Sequence, residues 1–212
     1  MNNILIAFKA FLHLDQTLYA IIATYHHWTH AILFIIITLE TGLILTPFLP
    51  GDSLLFVAGS FCAKGLLDSK TLYLLLLIGS TVGNLANYGI GRMLSKEILE
   101  KKRLPFIKES HIQQAENYYI RYGGLTLFVT RFIPIARTFA PFLAGVAKMN
   151  FGKYVLYSIS GGFLWITSIF WLGFYFGNLP IVQAHFTSVI FGIIGLSITP
   201  SLFFYLKSKF SN

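Results

Sequence analysis

Residues 41–61 read TGLILTPFLPGDSLLFVAGSF, an apolar run that no single straight helix can carry. Pro47 and Pro50 each lack a backbone donor, and Gly42 and Gly51 loosen the chain beside them. At membrane depth, non-helical backbone persists only where protein or a wet cavity covers it, so the stretch is predicted to be a re-entrant hairpin or broken helix. Glu40 stands just before the run, and Asp52 follows its Pro50-Gly51 step.

A second stretch of the same kind, residues 124–147, reads GLTLFVTRFIPIARTFAPFLAGVA and carries Arg131, Pro134, Arg137 and Pro141. Phe48-Leu49-Pro50 is echoed by Phe132-Ile133-Pro134, and Ala58-Gly59 by Ala144-Gly145. The two stretches read as a weak internal repeat, each followed by one full span. Paired broken segments in corresponding halves are the best sequence pointer to a transporter's binding site. Glu40, Asp52, Arg131 and Arg137 are the only ionisable residues interrupting these long apolar stretches. Each costs roughly 2.5–3.5 kcal/mol in hydrocarbon on insertion scales unless paired or wetted, so intramembrane charges mark function by default.

Composition fixes the class. With 212 residues, 55% hydrophobic and 11% charged, and a mean hydropathy of +0.68, there is too little polar surface to clothe a soluble globule. The reading is an integral membrane protein in one domain. The net charge of +8 gathers in polar connections and at the C-terminus, which suits anionic cytoplasmic headgroups rather than nucleic acid. The lone Cys62 excludes an intrachain disulfide and a cysteine-based zinc site. No cofactor and no metal site is expected. The N-terminus lacks a basic leader region and a small-residue cleavage site, so it is read as retained.

The predicted organisation is an N-terminal interfacial helix within residues 1–27, a first repeat over 28–93, and a basic cytoplasmic connection over 94–122. A second repeat over 123–178 and a last transmembrane helix with a basic tail over 179–212 complete it. The positive-inside rule places residues 94–122, Lys148, Lys153, Lys207 and Lys209 in the cytoplasm, and the loop near Pro180 outside. Lys64 and Lys70 are its exception. If each hairpin returns to the face it entered from, both termini are cytoplasmic and the hairpins enter from opposite faces. The expected fold class is therefore all-α, polytopic, with two inverted repeats.

The ordered motifs resemble the DedA family, which shares the VTT domain of eukaryotic lipid scramblases. They are Glu40-Thr41-Gly42, Phe48-Leu49-Pro50-Gly51-Asp52-Ser53 with Ala58-Gly59, then Tyr122-Gly123, Arg131-Phe132-Ile133-Pro134, Arg137-Thr138-Phe139, Ala144-Gly145 and Trp165. The likeness covers about residues 30–178. Two departures stand out: Gly83-Asn84 where the family often has Gly-Asp, and Ile135-Ala136 after the Arg-Phe-Ile-Pro run. The first removes an acid, so any role for that acid is in doubt here. The resemblance implies a bacterial inner-membrane protein moving a phosphorylated lipid between leaflets, undecaprenyl phosphate first among candidates, with activity tied to the proton motive force.

Physical chemistry fits that implication. Arginine offers phosphate a planar fork of donors and keeps its proton, so Arg131 and Arg137 are the expected phosphate clamp. A carboxyl in a partly dry cavity is pulled one way by desolvation and the other by a nearby arginine, so Glu40 and Asp52 are the expected proton-coupling groups. Pro50, Gly51, Pro134 and Gly145 are the expected hairpin backbone. The expected partners are the lipid substrate, protons and anionic headgroups at the cytoplasmic face; oligomeric state, homo-oligomers included, stays open.

Other readings stand beside this one. The four charges could form a purely structural buried network. Gly79-x3-Gly83 and Gly173-x3-Gly177 are read as close helix approaches only. A phospholipid flippase or scramblase, acting for example on phosphatidylethanolamine, presents the same phosphate. A proton-coupled exchanger of small cations is the rival from another class. A lipid-phosphate phosphatase is disfavoured because every histidine, at 13, 26, 27, 30, 111 and 185, falls outside the two broken stretches. A primary pump is disfavoured by the lack of a phosphate-binding Gly-rich loop ending in Lys and Ser or Thr.

Overall fold

The computed structural model describes residues 14–25, 28–43, 51–101 and 124–185, with residues 188, 189, 192, 193 and 195. Among these the chain is helical and holds no strand. In order, the helices are α1 (Leu14–Tyr25), α2 (Thr29–Gly42), α3 (Gly51–Ala63) and α4 (Ser69–Lys101). They are followed by α5 (Leu125–Thr130), α6 (Pro134–Val146), α7 (Phe151–Phe176) and the short α8 (Pro180–Ala184). Most of the predicted basic connection, most of the last transmembrane helix, and Pro47 and Pro50 lie outside the described residues.

Among the described residues two helices are long and apolar enough to cross a bilayer, over Ser69–Ser95 and Phe151–Phe176, of 27 and 26 residues. At 1.5 Å per residue each reaches about 40 Å, against a hydrocarbon core of about 30 Å. The helix predicted over residues 70–93 continues to Lys101 because residues 94–101 hold strong helix formers and neither Gly nor Pro. Along its second half the buried positions are Ser80, Gly83, Asn84, Asn87, Tyr88, Gly91 and Ser95, at helical spacing. The opposite face shows Ile78, Val82, Ile90 and Met93. Polar groups inside and apolar groups outside is the reverse of a soluble helix, and it is the pattern that lipid contact selects.

The chain divides into two compact units. One comprises residues 1–36, 48–76 and 166–212; the other comprises residues 37–47 and 77–165. In the first, α3 is buried from Gly51 to Cys62, with α1 packed against it through Tyr19 and Phe61. There α3 meets the C-terminal part of α7 closely: a Cβ on Gly59 would strike the Phe170 carbonyl, and one on Gly173 would strike the Phe56 carbonyl. Ser60 and Asn178 exchange two hydrogen bonds at the same place, at 3.1 and 3.0 Å.

In the second unit α6 meets α4 by the same rule. A Cβ on Gly145 would strike the Tyr88 carbonyl, and one on Gly91 the Phe142 carbonyl. In both units an aromatic residue precedes its glycine by three on each helix: Phe56 and Gly59 with Phe170 and Gly173, then Phe142 and Gly145 with Tyr88 and Gly91. Close backbone approach of this kind is what drives helix association where lipid removes the hydrophobic advantage. Gly83 makes another close approach within this unit, against Thr41 and Gly42. Gly173 and Gly177 approach α3 at Phe56 and Ser60 respectively.

Candidate functional site

The second unit holds a buried polar core built from the ends of broken helices. α2 stops at Gly42 with Glu40 in its last turn. A carboxylate there meets the negative end of the helix dipole, so it needs a cation nearby. Arg137 supplies it: its Nη2 donates to Glu40 Oε1 at 2.5 Å. The open carbonyl of Thr41, at the same helix end, accepts from the side-chain amide of Asn87 at 3.3 Å.

The second broken stretch divides into α5 and α6 around a short turn at Arg131–Ile133. Ile133 is extended, with φ −118° and ψ 106°, as the residue before a proline is pressed to be. Pro134 then opens α6 at the first helical position, where its missing N–H costs nothing. This places Arg137 in the early turns of α6, its backbone N–H bonded to the Ile133 carbonyl at 2.8 Å. Arg131 ends α5, where a cation complements the dipole.

Each arginine is held differently. The Arg137 guanidinium carbon lies 4.3 Å from the centre of the Trp165 ring, so one face of the cation rests on an aromatic face while its edge meets Glu40. Arg131 Nη2 donates to Ser158 Oγ at 2.9 Å, and its stem lies against Gly161. No carboxylate hydrogen bond to Arg131 is seen among the described residues; its neighbours in charge are Arg137, Glu40 and the Tyr154 phenol.

Glu40, Arg131 and Arg137 are 1%, 2% and 4% exposed, so all three sit away from the surface of the fold. Of the four predicted charges, the structure brings these three together in one unit. Asp52 belongs to the other unit, in the first turn of α3, where it is also buried and favourably placed for the helix dipole. Among the predicted hairpin backbone positions, Gly51 opens α3, Pro134 opens α6 and Gly145 forms the crossing with α4. Pro50 lies outside the described residues.

Neutral polar residues complete this core, and charge reasoning passed over them. Asn87 also donates to the Thr138 carbonyl at 2.8 Å, tying α6 to the end of α2 through one amide. Asn84 donates to the Ser80 carbonyl at 2.5 Å on its own helix, and its backbone carbonyl accepts from Tyr154 Oη at 2.6 Å. Tyr154 stacks on Tyr88 with ring centres 4.2 Å apart, and Tyr88 Oη donates to the Met149 carbonyl at 2.6 Å. The signal that could have found them is the helical spacing of Ser80, Asn84 and Asn87, which puts three polar groups on the inward face of a membrane span.

Comparison with known proteins identifies the family. The VTT domain matches residues 49–175. The chain is 38% identical over 200 residues to the protein DedA of Escherichia coli K12, covering 93% of this chain and 91% of that protein. It is 32% identical over 150 residues to the E. coli inner membrane protein YqjA, covering 71% and 68% of the two chains. It is 33% identical over 172 residues to an uncharacterized membrane protein of Mycobacterium tuberculosis, covering 80% and 75%. No solved structure matches. A domain match across more than half of the chain, and identity of this level along nearly all of it, make this chain a membrane protein of the DedA family.

Proposed function

We propose that the protein transports a phosphorylated lipid carrier, undecaprenyl phosphate, across the bacterial inner membrane, coupled to the proton motive force. Arg131 and Arg137 bind the phosphate, and Glu40 and Asp52 carry the coupling proton. The observation that carries this reading is the buried Glu40–Arg137 pair with a second buried arginine beside it, in a membrane protein of this family. A pair of that kind has two available states. With Glu40 ionised, Arg137 is committed to it; with Glu40 protonated, the Arg137 fork is released to an incoming anion. Arg131, held by a neutral serine, is already directed toward anion binding without a carboxylate to displace. No covalent change in the lipid is required.

The same reading takes the two halves as inverted repeats, each a re-entrant hairpin followed by a span. What supports it is the matched aromatic-x2-glycine crossing found once in each unit. The inner-membrane location is supported by the likeness to the E. coli inner membrane protein YqjA, and cytoplasmic termini by the distribution of lysines.

The test is reconstitution. The purified chain is placed in liposomes, and the flipping of undecaprenyl phosphate is followed with and without a pH gradient, beside phosphatidylethanolamine. The proposal requires gradient-dependent movement of the phosphate monoester that Arg131→Ala and Arg137→Ala abolish. Equal movement of both lipids, insensitive to the gradient, would make the protein a scramblase. Solute flux without lipid movement would make it an exchanger.

A further inference from the structure

Among the buried polar atoms of the second unit, Arg131 Nη1, Asn84 Oδ1 and Asn87 Oδ1 have no hydrogen-bond partner among the described residues. Their residues are 2%, 1% and 0% exposed. The amide orientations are set by their nitrogens. Asn84 Nδ2 is committed to the Ser80 carbonyl, and Asn87 Nδ2 to the carbonyls of Thr41 and Thr138, so in each case the oxygen is the end left over. A buried acceptor without a donor costs about 1–3 kcal/mol, and two of them one helical turn apart in a membrane span is a standing penalty.

The three residues are linked through shared neighbours. Asn84 and Arg131 both abut the Tyr154–Ser158 turn of α7, since Tyr154 Oη donates to the Asn84 carbonyl and Arg131 donates to Ser158 Oγ. Gly162, one turn further along α7, faces Ser80 Oγ at 3.6 Å from its Cβ position. Asn87 is joined to the residues that follow Glu40 and Arg137 in sequence, Thr41 and Thr138.

One cationic donor and two neutral acceptors define a ligand by complement. It must be anionic, and it must carry a hydrogen-bond donor next to its charge. Among the described residues the charges buried in this unit are Arg131, Arg137 and Glu40, and Tyr154 is the titratable neutral group beside them. In the state with Glu40 ionised and holding Arg137, two guanidiniums against one carboxylate leave one positive charge for the anion that first meets Arg131. A singly charged ligand balances it; a doubly charged one overshoots, and a zwitterionic phosphoethanolamine leaves it unmatched.

We infer that the site recognises a phosphate monoester in its protonated, singly charged form, with Arg131 Nη1 on a phosphate oxygen and the Asn84 and Asn87 amide oxygens accepting from the P–OH group. This rests on the phosphate-binding reading above and deepens it. The second ionisation of such a phosphate falls at a pKa of about 6, so the proton that moves with the lipid is carried on the substrate itself as well as on any protein carboxyl. Asn84 and Asn87 are specificity-determining residues: they read the proton. The same chemistry fits a lipid monophosphate and free inorganic phosphate, which the test separates.

The full chain in phosphatidylcholine nanodiscs is titrated with farnesyl monophosphate and with its monomethyl ester, a permanent monoanion that lacks the P–OH. At about pH 5, a unit below the phosphate pKa, the monoester should bind about tenfold tighter than the methyl ester, the loss expected when buried acceptors lose their donor. At about pH 8 the monoester's advantage should vanish, whereas the methyl ester's affinity should change far less. Asn84→Ala, which removes an amide whose nitrogen bonds only its own helix, should bring the two esters within about twofold of each other at low pH. The comparison of esters on the native chain needs no variant to fold. Equal affinity of the native chain for both esters, with both weakened by Arg131→Ala, overturns the amide reading and leaves the arginine clamp standing. Failure of both esters to bind overturns the clamp and this inference together. Displacement of the probe by inorganic phosphate at matched concentration would overturn a lipid as the source of the ligand; indifference to it upholds the lipid.

Discussion

Arg137 and Glu40, 97 positions apart in the chain, form an ion pair that is buried on both sides and closed on a third by the Trp165 ring. Removing one partner of such a pair leaves the other charge in a medium that cannot solvate it. Glu40→Ala should therefore destabilise the fold by about 3–5 kcal/mol, measured as a fall in the unfolding midpoint in detergent. Glu40→Gln keeps an acceptor for the guanidinium and should cost clearly less. A Glu40→Gln, Arg137→Gln double variant should be less destabilised than the sum of its parts, and strict additivity would mean that the pair is not coupled.

Arg131 separates stability from function. Arg131→Lys keeps the charge but replaces a planar fork with a point charge on a flexible stem. Lipid phosphate binding should fall by about tenfold or more, the scale of one lost charge-assisted hydrogen bond. Ser158→Ala, which removes the hydroxyl that Arg131 Nη2 donates to, should weaken binding less and in the same direction. Headgroup binding that is unchanged in Arg131→Lys would remove the need for a planar guanidinium at this position.

The glycine crossings make a sharp contrast within one helix. Gly91→Ala would drive a methyl into the Phe142 carbonyl, and Gly145→Ala one into the Tyr88 carbonyl, an overpacking that costs about 1–3 kcal/mol. Gly89 lies on the same helix as Gly91 with open space around its Cβ position. Gly89→Ala should be neutral or stabilising by up to about 1 kcal/mol through helix propensity alone. Detergent unfolding of the three variants decides it, and equal effects at Gly89 and Gly91 would contradict the crossing.

Asp68 sets a pH dependence at the start of α4. Its Oδ2 accepts from the Thr71 backbone N–H at 2.7 Å, a helix N-cap. Hydrogen bonding with Thr71, reinforced by the charges of His30 and Lys70, holds its carboxyl below the ordinary value. A depressed folded-state pKa means that the contribution is complete above the unfolded pKa and is lost as pH falls through the folded one. Amide exchange in the first turn of α4 should therefore accelerate only under strongly acidic conditions. Asp68→Asn, which caps without titrating, should flatten that acid dependence.

The membrane class was legible in the chain, and so was the break in the second central stretch, because Pro134 in an apolar run leaves little choice; residues 44–50 of the first stretch lie outside the described residues. So was the identity of the buried charges: Glu40, Arg131 and Arg137 stand out against hydrocarbon composition, and their convergence in one unit follows from two broken helices ending near each other. Ser158, Asn84 and Asn87 were not legible by the same logic. A neutral amide or hydroxyl scarcely alters hydropathy, and only its position on the inward face of a helix reveals it. Asn84 drew notice as a departure from the family pattern, whereas its role in the core comes from the Tyr154 and Ser80 bonds that the fold creates. Gly173 was visible in a small-residue pair, and Gly145 in the internal repeat. Their partners, Phe56 for Gly173 and Tyr88 for Gly145, are on other helices and emerge only from packing.

The indole of Trp165 also gives the protein an intrinsic optical probe. Its emission should respond to the guanidinium lying 4.3 Å from the ring centre. The chain has three tryptophans, so replacing Trp28 and Trp171 with phenylalanine leaves a single buried fluorophore. Its colour and intensity would then follow Arg137 in real time as the arginine exchanges its carboxylate for an incoming anion, with no dye attached.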